Sequence, residues 1–269
     1  MNEHKGRVLI IAGSDSGGGA GIQADIKAVT ALGGYAMTAV TAITAQNTMG
    51  VFDIWPVPID SVVAQIDVTL ADIGADVVKT GMLGLTELVE TVAERLSERP
   101  GGLPLVCDPV MVATSGDRLV EDRAADAIRS LMVPGARLVT PNAQEAEILT
   151  GKAVDTVDGQ RRAAEALLEL GANGALVKGG HVGGDRITDV LQTTTGEWLY
   201  EGERLETRST HGTGCTLASA TAAELALGSS LPNAVEKARA YLHGAIENAP
   251  GFGGGHGPVD HGWMVREER

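Results

Sequence analysis

At 269 residues and 43% hydrophobic content, the chain is long enough to close a large core, and one α/β domain spanning residues 1–269 is the expectation. Its 21 Lys and Arg against 35 Asp and Glu give a formal net charge of -14, which repels polyphosphate backbones and anionic membranes and argues against nucleic-acid or membrane partners. Cys107 and Cys215 follow no metal-ligand spacing and no apolar run reaches about 18 residues, so a disulfide framework, a zinc site and a membrane span are not expected, and a reducing, cytoplasmic setting fits.

Residues 8–12 form a continuous apolar run closed by Gly13, the pattern of a strand buried on both faces. Ile22, Ile26, Val29 and Leu32 then recur at helical spacing before Gly33 and Gly34, which predicts a helix over 20–32. Further strands are predicted at 36–44, 77–79, 105–107, 138–140 and 175–178, with helices near 59–73, 85–96, 123–132, 144–149 and 160–170. A hairpin at 187–193 and 197–200 and two more helices complete the chain. Such alternation implies a mainly parallel central sheet with helices on both faces, whose ligands bind at the carboxyl ends of the strands.

The first strand-end loop, Gly13 to Gly21, is glycine-rich and is expected to bring backbone amides close to a small polar ligand. Within it, Gly19, Gly21 and Ala24 match the spacing of a dinucleotide-binding fingerprint. The acidic residue that should hold the ribose is missing, because the next strand ends in Ala45, Gln46 and Asn47. No P-loop sequence occurs. The better phosphate site is Thr210-His-Gly-Thr-Gly-Cys215 at the start of an Ala-rich helix, where the amides of Gly212, Thr213, Gly214 and Cys215 can surround a transferring phosphoryl group. A glycine-rich helix entry with no ligand reads the same way from spacing.

In the first turn of that helix the dipole favours the thiolate, so Cys215 is a candidate base with a pKa expected below the usual value of about 8.5; simple packing, the reading preferred for Cys107, is the alternative. Asn142 and Glu145, three residues apart after a strand, suit either a helix cap or a hydrated Mg²⁺. Lys178 and Asp108 end two other strands. Three polar strand ends facing one crevice suggest an active site.

Seven ordered segments carry a resemblance over nearly the whole chain: 12–25, Thr44-Ala-Gln-Asn-Thr48, Lys79-Thr-Gly-Met-Leu83, Asp108-Pro-Val-Met111, Thr140-Pro-Asn142, Val177-Lys-Gly-Gly-His181 and Thr210-His-Gly-Thr-Gly-Cys-Thr216. They resemble the hydroxymethylpyrimidine/phosphomethylpyrimidine kinases of thiamine biosynthesis. The resemblance implies a ribokinase-like fold and two successive phosphorylations from ATP with Mg²⁺, first of the hydroxymethyl group and then of the monophosphate. Position by position it implies that Gln46 pairs with the pyrimidine, that Gly13, Ala20, Thr44 and Met82 line its pocket, and that Asn142 and Glu145 organise metal and phosphate. Lys178 and Asp108 then belong to the ATP side, the segment 210–215 is the anion hole, and Cys215 stands where many ribokinase-like enzymes place an aspartate base. A homodimer is a further expectation of the family. Pyridoxal or pyridoxine phosphorylation on the same fold, an NAD-dependent oxidoreductase and a silent ligand sensor are the alternatives. The segment 257–261 also resembles the family, without an evident chemical role.

Overall fold

The computed structural model describes residues 6–98, 102–112, 119, 121–180 and 186–267. Its strands are β1 (Arg7–Asp15), β2 (Tyr35–Asn47), β3 (Gly50–Pro56), β4 (Val77–Thr80), β5 (Leu105–Cys107), β6 (Leu138–Val139), β7 (Gly174–Val177), β8 (Arg186–Thr193) and β9 (Gly196–Glu203). They join in one nine-stranded sheet of order β3-β2-β1-β4-β5-β6-β7-β8-β9. The six strands from β2 to β7 run parallel, while β3 at one edge and β8 and β9 at the other are antiparallel.

The apolar run of β1 is buried on both sides because the sheet carries helices on both. Leu9 and Ile11 pack with α2 (Ile59–Asp72), α3 (Thr86–Ser97), α4 (Asp122–Ala127), α5 (Ala143–Thr150) and α6 (Val157–Glu169). Val8, Ile10 and Ala12 turn to the opposite core, built on α1 (Gly21–Ala31), α7 (Thr213–Ala226) and α8 (Leu231–Glu247). A short α9 (Trp263–Glu267) follows. This alternation of side chains along one strand is what lets a single run of hydrophobes serve two layers.

Helix α7 is buried nearly all round, from Thr216 to Ala226. Its faces carry Ala218, Ala220, Ala222 and Ala223, small side chains that admit close neighbours on several sides. It therefore packs against α1 and α8 and reaches the strands β1, β4 and β5 beneath it. Its first turn is thus fixed at the carboxyl edge of the sheet.

Three features differ from the sequence expectation. β1 continues through Ser14 and Asp15, which pair with Ile43 and Thr44 of β2 after a register shift, so Asp15 is a strand residue rather than a free loop residue. β3 was not expected. Asn47 Oδ1 accepts the Met49 amide at 2.8 Å to turn the chain, but β3 exposes Phe52 and Trp55 and lacks the buried face that periodicity detects. The helix expected over 123–132 is α4 followed by a π-helical turn at Ile128–Met132.

Candidate active site

The loop between β1 and α1 is organised by the Asp15 carboxylate, which accepts the amides of Gly17 at 2.8 Å, Gly19 at 3.0 Å and Ala20 at 2.8 Å. This corrects the expectation that these amides face a ligand: an internal carboxylate already occupies them. Asp15 also meets His211 Nε2 at 2.8 Å. Burial works against its charge, yet His211 and the amides of Ala20 and Gly17 outweigh that cost and lower its pKa.

The residues assigned to the pyrimidine pocket gather beside this loop. A Cβ on Gly13 would meet Met82 Cε at 2.5 Å, so the methionine lies directly on the bare glycine backbone. Thr44 Oγ1 donates to Ser14 O at 3.0 Å and lies 3.1 Å from Gln46 Oε1. The Gln46 backbone is tied to Ser16, whose hydroxyl accepts its N–H and donates to its C=O, both at 2.9 Å. Ala20 caps α1 from an extended conformation.

The second glycine loop touches the first. Gly212 caps α7 at φ +78°, and a Cβ there would lie 1.8 Å from Gly19 O; only glycine allows both the left-handed backbone and this approach. No side chain caps the α7 start. The Thr213 amide makes only a 3.4 Å bond to Thr210 O, and those of Gly214 and Cys215 have no acceptor among the described residues. Lys178, just past the end of β7, brings its Nζ to 3.2 Å from where a Gly214 Cβ would sit. Open amides and an ammonium thus converge on one point, an arrangement that attracts an anion.

The third group lies across from it. Lys178 Nζ is 3.2 Å from Asp108 Oδ1 and 4.0 Å from Glu145 Oε2. Asp108 is buried, accepts the Thr140 hydroxyl at 3.0 Å, and leaves Oδ2 without a partner among the described residues. Asn142 and Glu145 form a reciprocal capping box at the start of α5, with Oδ1 accepting the Glu145 amide at 2.9 Å and Oε2 accepting the Asn142 amide at 2.8 Å. Burial pushes the Glu145 carboxyl up to about 7; Lys178 opposes that rise and Asp108 adds to it.

All of these residues but Gly13 and Ser14 lie within the part of the chain that a family model matches. The sequence model described as phosphomethylpyrimidine kinase matches residues 15–260. The chain belongs to the phosphomethylpyrimidine kinase family. It is 50% identical over 260 residues to the hydroxymethylpyrimidine/phosphomethylpyrimidine kinase of Streptomyces coelicolor, covering 97% of this chain and 96% of that protein. The Bacillus subtilis protein of the same description is 43% identical, covering 95% and 94%. Among solved structures, a Staphylococcus aureus pyridoxal kinase in complex with ADP superposes with TM-score 0.89 at 35% identity, covering 96% of this chain and 94% of that one. The phosphomethylpyrimidine kinase of Clostridium difficile superposes with TM-score 0.79 at 39% identity, over 89% and 98%. The fold is ribokinase-like, and membership of a kinase family replaces the oxidoreductase reading; the Gly19, Gly21 and Ala24 spacing serves the contact with Gly212 and the turn into α1.

Within this kinase family site, one sequence expectation is overturned. Cys215 is half-buried, and its thiol is pushed up to about 12, first by burial and then by Asp25 and Asp108, against the pull of Lys79 and the Gly21 amide. The helix dipole favours the thiolate, but burial and the carboxylates that folding brings under the helix start outweigh it. Cys107 is buried and likewise pushed up to about 12, in keeping with a packing role. His181 of the matching segments lies outside the described residues.

Sequence reasoning also passed over Asp15, His211, Lys79, Asp25 and Ser219 as site residues, although all lie in the matching segments or the helix that follows them. His261 gains a role: its Nε2 is 2.9 Å from Thr216 Oγ1, which donates to Gly212 O at 2.8 Å. The segment 257–261 therefore braces the α7 start from outside. Two open clefts flank the site, one of about 510 Å³ bordered by Arg208, Ser209 and Phe252 and one of about 280 Å³ bordered by Ile54, Met82 and Leu83; of the expected site residues, Met82 alone borders either of these two.

Proposed function

We propose that this kinase transfers the γ-phosphoryl group of ATP to the hydroxymethyl oxygen of 4-amino-5-hydroxymethyl-2-methylpyrimidine and then phosphorylates the monophosphate to the diphosphate, for thiamine biosynthesis. The observation that carries the reading is the convergence of the uncapped α7 amides and Lys178 beside the Gly13, Thr44, Gln46 and Met82 cluster. An anion-stabilising point next to a polar-edged pocket is what phosphoryl transfer to a small aromatic alcohol requires.

In the first step the hydroxymethyl oxygen forms a bond to the γ-phosphorus as the bond to the β-phosphate oxygen breaks, and ADP leaves. The hydroxymethyl proton passes to the Cys215 sulfur in its thiolate form, the minor state while burial holds the thiol pKa up. Open amides at Gly214 and Cys215 stabilise charge on the moving group, and Lys178 neutralises it. Gln46 pairs with the ring: Oε1 faces Thr44, and Nε2 has no acceptor among the described residues. Its amide both donates and accepts, as a pyrimidine nitrogen and amino group demand. Gly13, Ala20, Thr44 and Met82 wall the ring.

Mg²⁺ fits the third group. The unpartnered, buried Asp108 Oδ2 and the adjoining Glu145 carboxylate are hard oxygen donors, and a mostly hydrated Mg²⁺ needs only one or two from protein. Asn142 sets the Glu145 carboxylate through the capping box and presents its own side chain to the ATP phosphates. When bound, the ion neutralises phosphate charge.

The proposal includes a single kinase domain, a cytoplasmic location and a homodimer. Ile43 and Trp55, cross-strand partners on the β2–β3 hairpin, are exposed with Phe52, an apolar surface suited to a second copy; among the described residues no helix is long and apolar enough to cross a membrane. The test is product analysis with ATP, Mg²⁺ and three acceptors: hydroxymethylpyrimidine, its monophosphate and pyridoxal. Diphosphate from the first two is expected. Turnover of pyridoxal alone would transfer the assignment to pyridoxal, for which the S. aureus relative is named.

A further inference from the structure

Directly beneath the α7 start lies an ion pair that neither phosphate binding nor pyrimidine binding uses. Lys79, the third residue of β4, is fully buried, and its Nζ is 2.8 Å from Asp25 Oδ1 on α1, also fully buried. The same oxygen accepts the Ser219 hydroxyl at 2.6 Å, while Asp25 Oδ2 has no partner among the described residues. Ser219 is four residues after Cys215 and therefore lies on the same face of α7, one turn below it. A Cβ on Gly81 would lie 3.1 Å from the ammonium, so a glycine leaves room for it at the strand end.

Isolated buried pairs of this kind are poor stabilisers, since desolvation offsets their attraction and apolar residues of equal volume serve as well. A pair placed one turn under a candidate base has a different use. We propose that Lys79 is a positioning residue for the reaction, its ammonium lowering the cost of charge on the Cys215 sulfur through the core while Asp25 fixes where that ammonium sits. This rests on the reading of Cys215 as the proton acceptor.

The charged groups around the sulfur are Lys79 from β4, Asp25 from α1, Asp108 beyond β5 and Lys178 beyond β7. Both carboxylates oppose the thiolate. Lys79 is the cation that offsets them from below, and Lys178 the one that reaches the site from above, where phosphate draws on it. Burial disfavours the charge of Lys79, yet Asp25, Cys215 and Asp108 outweigh it and raise its pKa, so the ammonium persists across the working pH range.

The experiment is the pH dependence of iodoacetamide alkylation of Cys215, with kcat and KM on the same samples, for Lys79→Met, Asp25→Asn and the double variant. The double variant leaves no unpaired charge in the core and serves where Lys79→Met alone does not fold. Loss of the ammonium should raise the alkylation midpoint by about one pH unit, slowing alkylation at neutral pH about 10-fold and lowering kcat comparably with KM unchanged. Asp25→Asn, which keeps the ammonium, should leave the midpoint level or lower it. A folded Lys79→Met variant with the wild-type midpoint, or a double variant with the same midpoint as Asp25→Asn, overturns the proposal, and so does an equal rise in all three variants, which is what a merely structural pair would give. The alkylation readout needs no turnover; Cys215→Ala with wild-type kcat would instead sink the base reading while leaving the electrostatic link intact.

Discussion

Two of the helices that begin at the carboxyl edge of the sheet, α5 and α7, treat their first amides in opposite ways. The α5 start closes on itself: Asn142 and Glu145 exchange hydrogen bonds with each other's backbone. The α7 start has a glycine cap and, among the described residues, no side-chain acceptor for its open amides. It is held from outside instead, by Gly19 against Gly212, by His211 on Asp15 and by His261 on Thr216. A helix end that caps itself is complete without a ligand. One braced by its neighbours keeps its donors for something that arrives.

The sharpest way to break this contrast is at Cys215. Alanine there should lower kcat by about 10² to 10⁴ with little change in ATP affinity, as for loss of a positioned base. Aspartate should recover part of it. Wild-type turnover by a folded Cys215→Ala protein would mean that the open amides act without a base beside them.

The outside brace has a pH signature. Burial, with a smaller contribution from Lys27, lowers His261 from its ordinary value near 6.5 to about 4. The folded state therefore favours the neutral ring: the stability it supplies is present above about pH 6.5 and is lost as pH falls through 4, at most about 3 kcal/mol. Urea unfolding of wild type and His261→Asn across pH 4 to 7.5 should give a steeper acid loss for wild type. Parallel curves would remove His261 from the brace.

Gly212→Ala tests the contact between the two glycine loops. With a left-handed backbone and Gly19 O in the way, alanine should cost about 2 kcal/mol or more of stability, seen as a lower Tm, and should reduce kcat in the protein that still folds. An unchanged Tm would show that the loops part freely.

The smallest stability effect is expected at the self-capped start. Asn142→Ala with Glu145→Ala removes a capping box, about 1–2 kcal/mol by chemical denaturation. If these residues also place metal and phosphate, kcat at saturating Mg²⁺ should fall as well. Full kcat with an earlier melt would leave α5 a purely structural helix.

The contrast also separates what was legible in the sequence from what was not. Alternating apolar runs and helical spacings were enough to place nearly every strand and helix, because burial on both faces of a parallel sheet dictates those patterns locally. Thr210-His-Gly-Thr-Gly-Cys215 was legible as a glycine-rich helix entry, since a breaker-free Ala-rich stretch follows it, while spacing left its ligand open. The Asn142 and Glu145 spacing was legible as a cap for the same local reason. β3 was not, for its exposed aromatics imitate no core pattern.

The chain by itself determined the elements and the chemical types at their ends. Tertiary structure decided what those ends do. Asp15, met as one polar residue in a glycine loop, takes the very amides expected for a ligand, because His211 arrives from 196 residues away to hold it. Lys79 and Asp25 become partners across 54 residues. The Cys215 thiol, promising at the positive end of a dipole, is pushed upward by burial and by carboxylates from two other elements. A dipole is set by neighbours in the sequence, but desolvation and charge act through space, and only the fold sets those distances.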